Sequence, residues 1–230
     1  MKNILFSILI VSLFTACNNN KKKSENREKT TDVKALTEIT SAENIANRLG
    51  YQNWKNVSEI QYTFNVIKGR KTFSRSWEFH PKTNEVKMIS ITDTVQYNRN
   101  NFDSIYIKFD KAFINDKFWL MAPFNMIKDS GITFSEQQEV IAPISGDLLN
   151  KLTATYANEG GYTPGDAYDF YYDKNYQIKE WSFRKGNLNR PSLSTTWEDY
   201  KTINGLTFST VHQDTTKLFK VFFTNISVKN

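Results

Sequence analysis

The sequence predicts a mainly β protein with a few helices, organised as one large antiparallel sheet, sandwich or barrel. Three observations carry this expectation. Apolar and polar residues alternate over many short segments, the period of half-buried strands. Turns rich in Gly, Pro, Asn and Asp separate those segments. Aromatic residues make up 14% of the chain, with 17 Phe and 5 Trp, a stock of bulky side chains suited to a pleated inner face.

A helix comes first in the body of the chain. Thr40 and Glu43 stand at capping-box spacing, and Ala42, Ile45, Ala46 and Leu49 follow the spacing of one helical face. Gly50 then falls where a left-handed C-terminal cap is expected. The helix should therefore span Ser41 to Leu49 and lie on an apolar surface.

After Trp54 the period becomes two. Ile60, Tyr62, Phe64 and Val66 alternate with polar neighbours, and Lys68-Gly69-Arg70 makes a turn. Phe73, Arg75, Trp77 and Phe79 then share one face, before a second turn from His80 to Asn84. Further strands are expected at Val86 to Ile91, Ile105 to Phe109, Leu148 to Tyr156, Tyr168 to Tyr172, Trp181 to Phe183, Leu206 to Phe208 and Leu218 to Val228. Phe113 to Met121 is the one candidate for a second helix, and Pro123 should stop it.

The beginning of the chain has a different composition. Lys2, an apolar run from Ile4 to Phe14 and the small pair Thr15-Ala16 have the order of a secretory signal peptide, too short for a stable membrane span. Cys17, the only cysteine, follows directly. Leu13-Phe14-Thr15-Ala16-Cys17 resembles a bacterial lipobox, with Phe14 where Leu is usual. The resemblance implies cleavage of residues 1–16, acylation of Cys17 and attachment to a membrane. Several acyl chains hold far more firmly than one, since each buried methylene contributes about 0.8 kcal/mol. Residues 17–35 are expected to be a polar, disordered tether and residues 36–230 a single domain. Asn18 after the cysteine is not an aspartate, and the tail carries no acidic export signal. Both point to the periplasmic face of the outer membrane.

The formal charge of +6 is concentrated in that tail, where six basic and three acidic residues lie between Cys17 and Lys34. The body is nearly balanced and carries no basic stripe interleaved with aromatics, so nucleic acid is not an expected partner.

A search for catalytic groups finds little. His80 and His212 lie in no metal-binding spacing, and neither a GxSxG elbow, a Walker A loop nor a GxGxxG motif occurs. Asp166, Asp169 and Asp173 lack the glycine and glutamate of a calcium loop. No catalytic residue, metal or cofactor is assigned, and the chain is not read as an enzyme. Arg75 is the exception to a bland reading. A guanidinium among Phe73, Trp77 and Phe79 needs acceptors or ring faces, and otherwise snorkels past the sheet edge.

Two segments resemble a known family. Phe118-Trp119-Leu120-Met121-Ala122-Pro123-Phe124 followed by Lys128-Asp129-Ser130-Gly131-Ile132 is one. Gly161-Tyr162-Thr163-Pro164-Gly165-Asp166, with the later Trp181 strand and Trp197-Glu198-Asp199-Tyr200, is the other. Together they resemble uncharacterised lipoproteins of the Bacteroidota, similar in turn to the LolA/LolB lipoprotein-carrier superfamily. The resemblance covers about Ala42 to Val228. Ser130 replaces a proline frequent in that family. It implies an incomplete antiparallel barrel around a helical plug or lid, with an apolar cavity between them. It also makes a latch role conceivable for an inward arginine such as Arg75.

The leading expectation is thus a membrane-anchored monomer that shelters a lipid, a lipoprotein acyl chain or another apolar ligand. Arg75, Trp77, Phe118, Trp119, Met121 and Phe124 are the candidate ligand residues. The guanidinium of Arg75 should meet a carbonyl or carboxylate of the lid or a ligand headgroup, and Arg75→Leu should preserve the fold. The alternatives are an interaction lipoprotein of an envelope complex without a small ligand, and a hydrolase using His212 or the aspartates.

Overall fold

The computed structural model describes residues 39–159 and 162–230. The expected signal peptide, Cys17 and the tether lie outside the described residues. Helix α1 (Ser41–Arg48) begins at the anticipated capping box. The Glu43 amide donates to Thr40 Oγ1 at 3.2 Å, and the Thr40 amide donates to Glu43 Oε2 at 2.8 Å. Ala42, Ile45 and Ala46 are buried along its inner face. Gly50 takes the left-handed conformation with φ 88°, and its Cα faces the turn at Gly205. A Cβ there would lie 2.0 Å from the Gly205 carbonyl oxygen, so only glycine fits both the angle and the approach.

Strands β1 (Glu59–Lys68), β2 (Lys71–His80), β3 (Glu85–Ile89) and β4 (Thr94–Asn98) follow as an antiparallel meander. The two-residue period sets its register. Ile60 faces Phe79, Tyr62 faces Trp77, Phe64 faces Arg75 and Val66 faces Phe73, all on the inner surface. Strands β5 (Ile132–Ile141), β6 (Leu148–Tyr156), β7 (Ala167–Tyr172), β8 (Ile178–Arg184) and β9 (Leu193–Thr196) form a second antiparallel sheet in chain order. The chain then crosses back through Trp197 into β10 (Glu198–Ile203), β11 (Leu206–Gln213) and β12 (Phe219–Lys229). These return to the first sheet, giving seven strands in the order β10-β11-β12-β1-β2-β3-β4. The fold is mainly β, with two antiparallel sheets that do not close into a barrel.

Helix α2 (Ile107–Lys128) occupies the space these sheets leave between their inner faces. Phe113 packs on Trp77 and Phe79 of β2, Phe118 on Tyr168 and Trp181 of the second sheet, and Phe124 on Phe208 of β11. Among the described residues no helix is long and apolar enough to cross a membrane.

Two expectations are corrected here. Ile105 to Phe109 is not a strand: Asp103 caps a short 3-10 turn by accepting from the Ile105 amide at 3.0 Å, and α2 starts at Ile107. A five-residue apolar alternation cannot distinguish the two periods, whereas Tyr106, Phe109, Phe113 and Leu120 hold helical spacing over several turns. Nor does Pro123 end the helix, which continues to Lys128. An internal proline costs about 3 kcal/mol. Each large apolar side chain fully buried contributes about 1.5–3 kcal/mol. Leu120, Met121, Phe124 and Met126 are all buried around this turn, so packing outweighs the break.

Candidate ligand-binding site

Because α2 fills only part of the space between the sheets, grooves remain beside it, two of them lined by Trp119. The larger encloses about 1030 Å³. Its apolar wall is formed by Phe118 of α2 with Tyr156, Tyr168, Trp181, Phe183 and Leu193 of the second sheet. Phe118 lies 4.4 Å from the Tyr168 ring, and Trp119 meets Trp181 edge-on at 4.7 Å between centroids. The smaller groove, about 460 Å³, is walled by Phe64, Val66, Phe73, Phe219 and Val221, with Lys68 and Lys71 at its border. Phe73 is left 46% exposed on this inner face, an unusual position for a bulky ring with so much core beside it. Asn115 and Trp119 line both grooves.

The candidate residues from the sequence divide accordingly. Phe118 and Trp119 line the grooves; Arg75, Trp77, Met121 and Phe124 line neither. The reason is the unbroken helix. Its 3.6-residue turn brings half-buried Phe118 and one edge of Trp119, 7% exposed, to the grooves and buries Met121 and Phe124 completely. Phe124 packs beneath the Trp54 ring, 5.3 Å away. Trp77 is 2% exposed and holds the helix instead.

That attachment centres on Asp116, whose side chain is completely buried. Arg75 Nε donates to its Oδ2 at 2.5 Å and Arg75 Nη2 to its Oδ1 at 2.7 Å. Trp77 Nε1 donates to Oδ2 at 2.8 Å, and Asn115 adds a bond at 3.0 Å. A fork-to-fork pair of this kind fixes orientation as well as distance. Arg75 thus meets a carboxylate of the helix, and its guanidinium also lies 4.8 Å from the Phe73 ring at the mouth of the smaller groove. Nearly two turns earlier, Asp110 accepts from Arg99 at 2.7 Å, Tyr97 at 3.1 Å and Tyr162 at 2.7 Å. Burial first, and then the bond to Asp110, pushes the Tyr162 hydroxyl up to about 12. Neither aspartate was marked by the sequence. The usable signal was the inward Arg75, which demanded an acidic partner on whatever packed above it.

His212 is fully buried between Trp119 and Trp197. Its Nδ1 lies 3.3 Å from the Thr196 carbonyl oxygen, while Nε2 has no hydrogen-bond partner among the described residues. Burial pushes its pKa down to about 3, against the opposing backbone carbonyls of Thr196, Ser209 and Trp119. The Trp119 carbonyl is the one that Pro123, lacking an N–H, leaves without its helical donor. Among the described residues the histidine has no carboxylate partner, and it is fully buried, so it is not arranged there as a general base.

The three aspartates serve the scaffold. Asp169 binds Arg184 at 2.9 Å and accepts from Thr153 at 2.6 Å. Asp166 accepts from the Gly186 amide at 2.7 Å, and Asp173 accepts from the Asn175 and Gln177 amides of its turn. On the outer face, Glu59, Glu78 and His80 bring their ligand atoms within 4.8 Å of one another, a grouping absent from the sequence reading. Lys229 at 2.8 Å, Gln61 at 2.8 Å and His80 at 3.1 Å already occupy those carboxylates.

No protein-family model matches the chain, and neither does any curated protein sequence. Among the solved structures that resemble it are two matched over most of their length. One is a DUF1329 family protein from Desulfovibrio piger, with a TM-score of 0.47 at 10% identity, covering 83% of this chain and 93% of that one. The other is a putative outer membrane lipoprotein-sorting protein domain from Vibrio parahaemolyticus, with a TM-score of 0.43 at 10% identity, covering 82% and 92%.

Proposed function

We propose that the protein is an envelope lipoprotein, anchored through Cys17, that binds an apolar ligand in the grooves along α2. A lipid or the acyl chain of another lipoprotein is the ligand class. The observation that carries this reading is the larger groove: about 1030 Å³ of space beside a wall of Phe118, Tyr168, Trp181, Phe183 and Leu193. Ligand cavities in proteins commonly span about 300–1,000 Å³ and are mostly apolar. Aromatic rings bordering such a groove forfeit dispersion contacts on their open side that an apolar ligand would restore. The signal-peptide layout and the lone Cys17 support the anchored location, and the tail composition supports the periplasmic face of the outer membrane.

The chemistry of the site supports holding rather than turnover. Trp119, Phe118 and Phe73 offer rings and no reactive atom, and the Asp116 and Asp110 carboxylates are saturated by the bonds that seat the helix. Native mass spectrometry of the purified protein, followed by lipid extraction, tests the reading. A copurifying acyl compound, or uptake of the uncharged probe N-phenyl-1-naphthylamine in a saturable way, is expected. Loss of both overturns it.

A further inference from the structure

Lys117 stands apart from the other charges on α2. It is half-buried on the wall of the larger groove, with its ammonium 5.7 Å from the Phe113 centroid and 5.8 Å from that of Phe79. Among the described residues it has no carboxylate within 4.0 Å and makes no side-chain hydrogen bond. Arg99, on the same groove, is bound to Asp110 at 2.7 Å. Arg75, against the same helix, is bound to Asp116. A cation partly removed from water without a counter-ion is costly, and the cost is relieved when an anion arrives.

We propose that the ligand is an acyl amphiphile with an anionic headgroup, a carboxylate or phosphate, and that the Lys117 ammonium receives that headgroup. The inference rests on the apolar-groove reading and adds the polar end of the ligand. Successive residues of a helix point about 100° apart. Although their directions diverge by that angle, Lys117 and Phe118 both line the larger groove, which thus has a cation and an aromatic ring on its wall. Lys111 and Lys128 line the same groove, as do the carboxylates of Asp129 and Glu159, so the unpaired charge of Lys117 and not a net positive field carries the assignment. Burial is the main cause that lowers the Lys117 pKa to about 8. The Arg99 charge acts in the same direction, as does Lys128, while Asp129 and Asp110 oppose them. An arriving anion would reverse that depression.

Competition against N-phenyl-1-naphthylamine tests the proposal, with dodecanoate, dodecyl phosphate and uncharged dodecanol as matched competitors. The purified protein should bind at least one of the anionic compounds about tenfold more tightly than dodecanol, the scale of one charge-assisted contact. Which anion gains more identifies a carboxylate or a phosphate headgroup. In Lys117→Met the ratio of anion to alcohol affinity should fall to about one, and in Lys117→Arg it should persist. If Lys117→Met does not fold, the wild-type ratio read across about pH 8 gives the same answer, since deprotonation of Lys117 should abolish the preference. Equal affinities in the wild type, or a preference unchanged both in Lys117→Met and across that pH, would overturn the headgroup assignment and leave the groove reading standing. Failure of all three competitors and of the probe itself would remove the groove reading and this inference with it.

Discussion

Replacing Arg75 by Leu should unfold part of the protein's stability margin, and replacing Asp116 as well should restore much of it. The Asp116 side chain has no exposure, whereas that of Arg75 retains 19%. Leucine suits the apolar face, which is why the sequence alone favours a tolerated substitution. The structure alters that expectation, because removing the guanidinium strands a buried carboxylate with only Trp77 and Asn115 as donors. Breaking a buried pair from one side costs about 3–5 kcal/mol. In a chain of this size that lowers Tm by about 6–20 °C. Changing Asp116 to Leu in the same protein removes the stranded charge, and the remaining defect is the unpaired Trp77 Nε1, about 1–3 kcal/mol. Asp116→Leu should therefore destabilise the wild type and stabilise the Arg75→Leu variant. Urea denaturation of the four proteins in a double-mutant cycle measures this reversal. Equal effects of Asp116→Leu in both backgrounds would refute the argument that this pair fixes the helix.

Three further outcomes follow from single sites. Gly50→Ala should cost more than about 1 kcal/mol in thermal unfolding, because the new Cβ would meet the Gly205 carbonyl while φ stays positive. His212 binds a proton only when unfolded at mildly acidic pH, since burial holds its folded pKa at about 3. Its stabilising contribution is complete above about pH 6.5 and declines as pH falls toward 3, so a His212→Phe variant should show a flatter acid limb of Tm against pH. Cys17→Ser should leave an unlipidated precursor with its leader uncleaved, read by a mass shift of the intact protein; normal maturation and membrane partitioning would contradict the anchor.

Much of the fold was legible because burial follows the two-residue period. Strands β1 and β2 pair inward residues as their alternation requires, and the capping box of α1 lies at Thr40 and Glu43 as read. The strands that escaped notice are those where burial imposes no pattern. Strand β5, Ile-Thr-Phe-Ser-Glu-Gln-Gln-Glu-Val-Ile, is an edge strand exposed along almost its whole length, so neither face selects apolar residues. Strands β4, β9 and β10 are short, and β9 and β10 meet at Trp197 without a turn signal. The site was legible in part. Phe118 and Trp119 reach the grooves, but the others required knowing that α2 persists through Pro123. Asp110, Asp116 and Lys117 depend on which side of the helix faces which sheet, a matter of tertiary packing that no local period records.

The central claim is that an apolar ligand lies against α2 and the second sheet. Trp119 and Trp181 line the larger groove, 4.7 Å apart, whereas Trp77, Trp54 and Trp197 do not. Titration with an uncharged brominated alkane, which quenches indole emission on contact, is the most direct measurement. The account predicts saturable quenching that falls sharply in both Trp119→Phe and Trp181→Phe. Quenching that never saturates, or that survives both substitutions at its full extent, would contradict it.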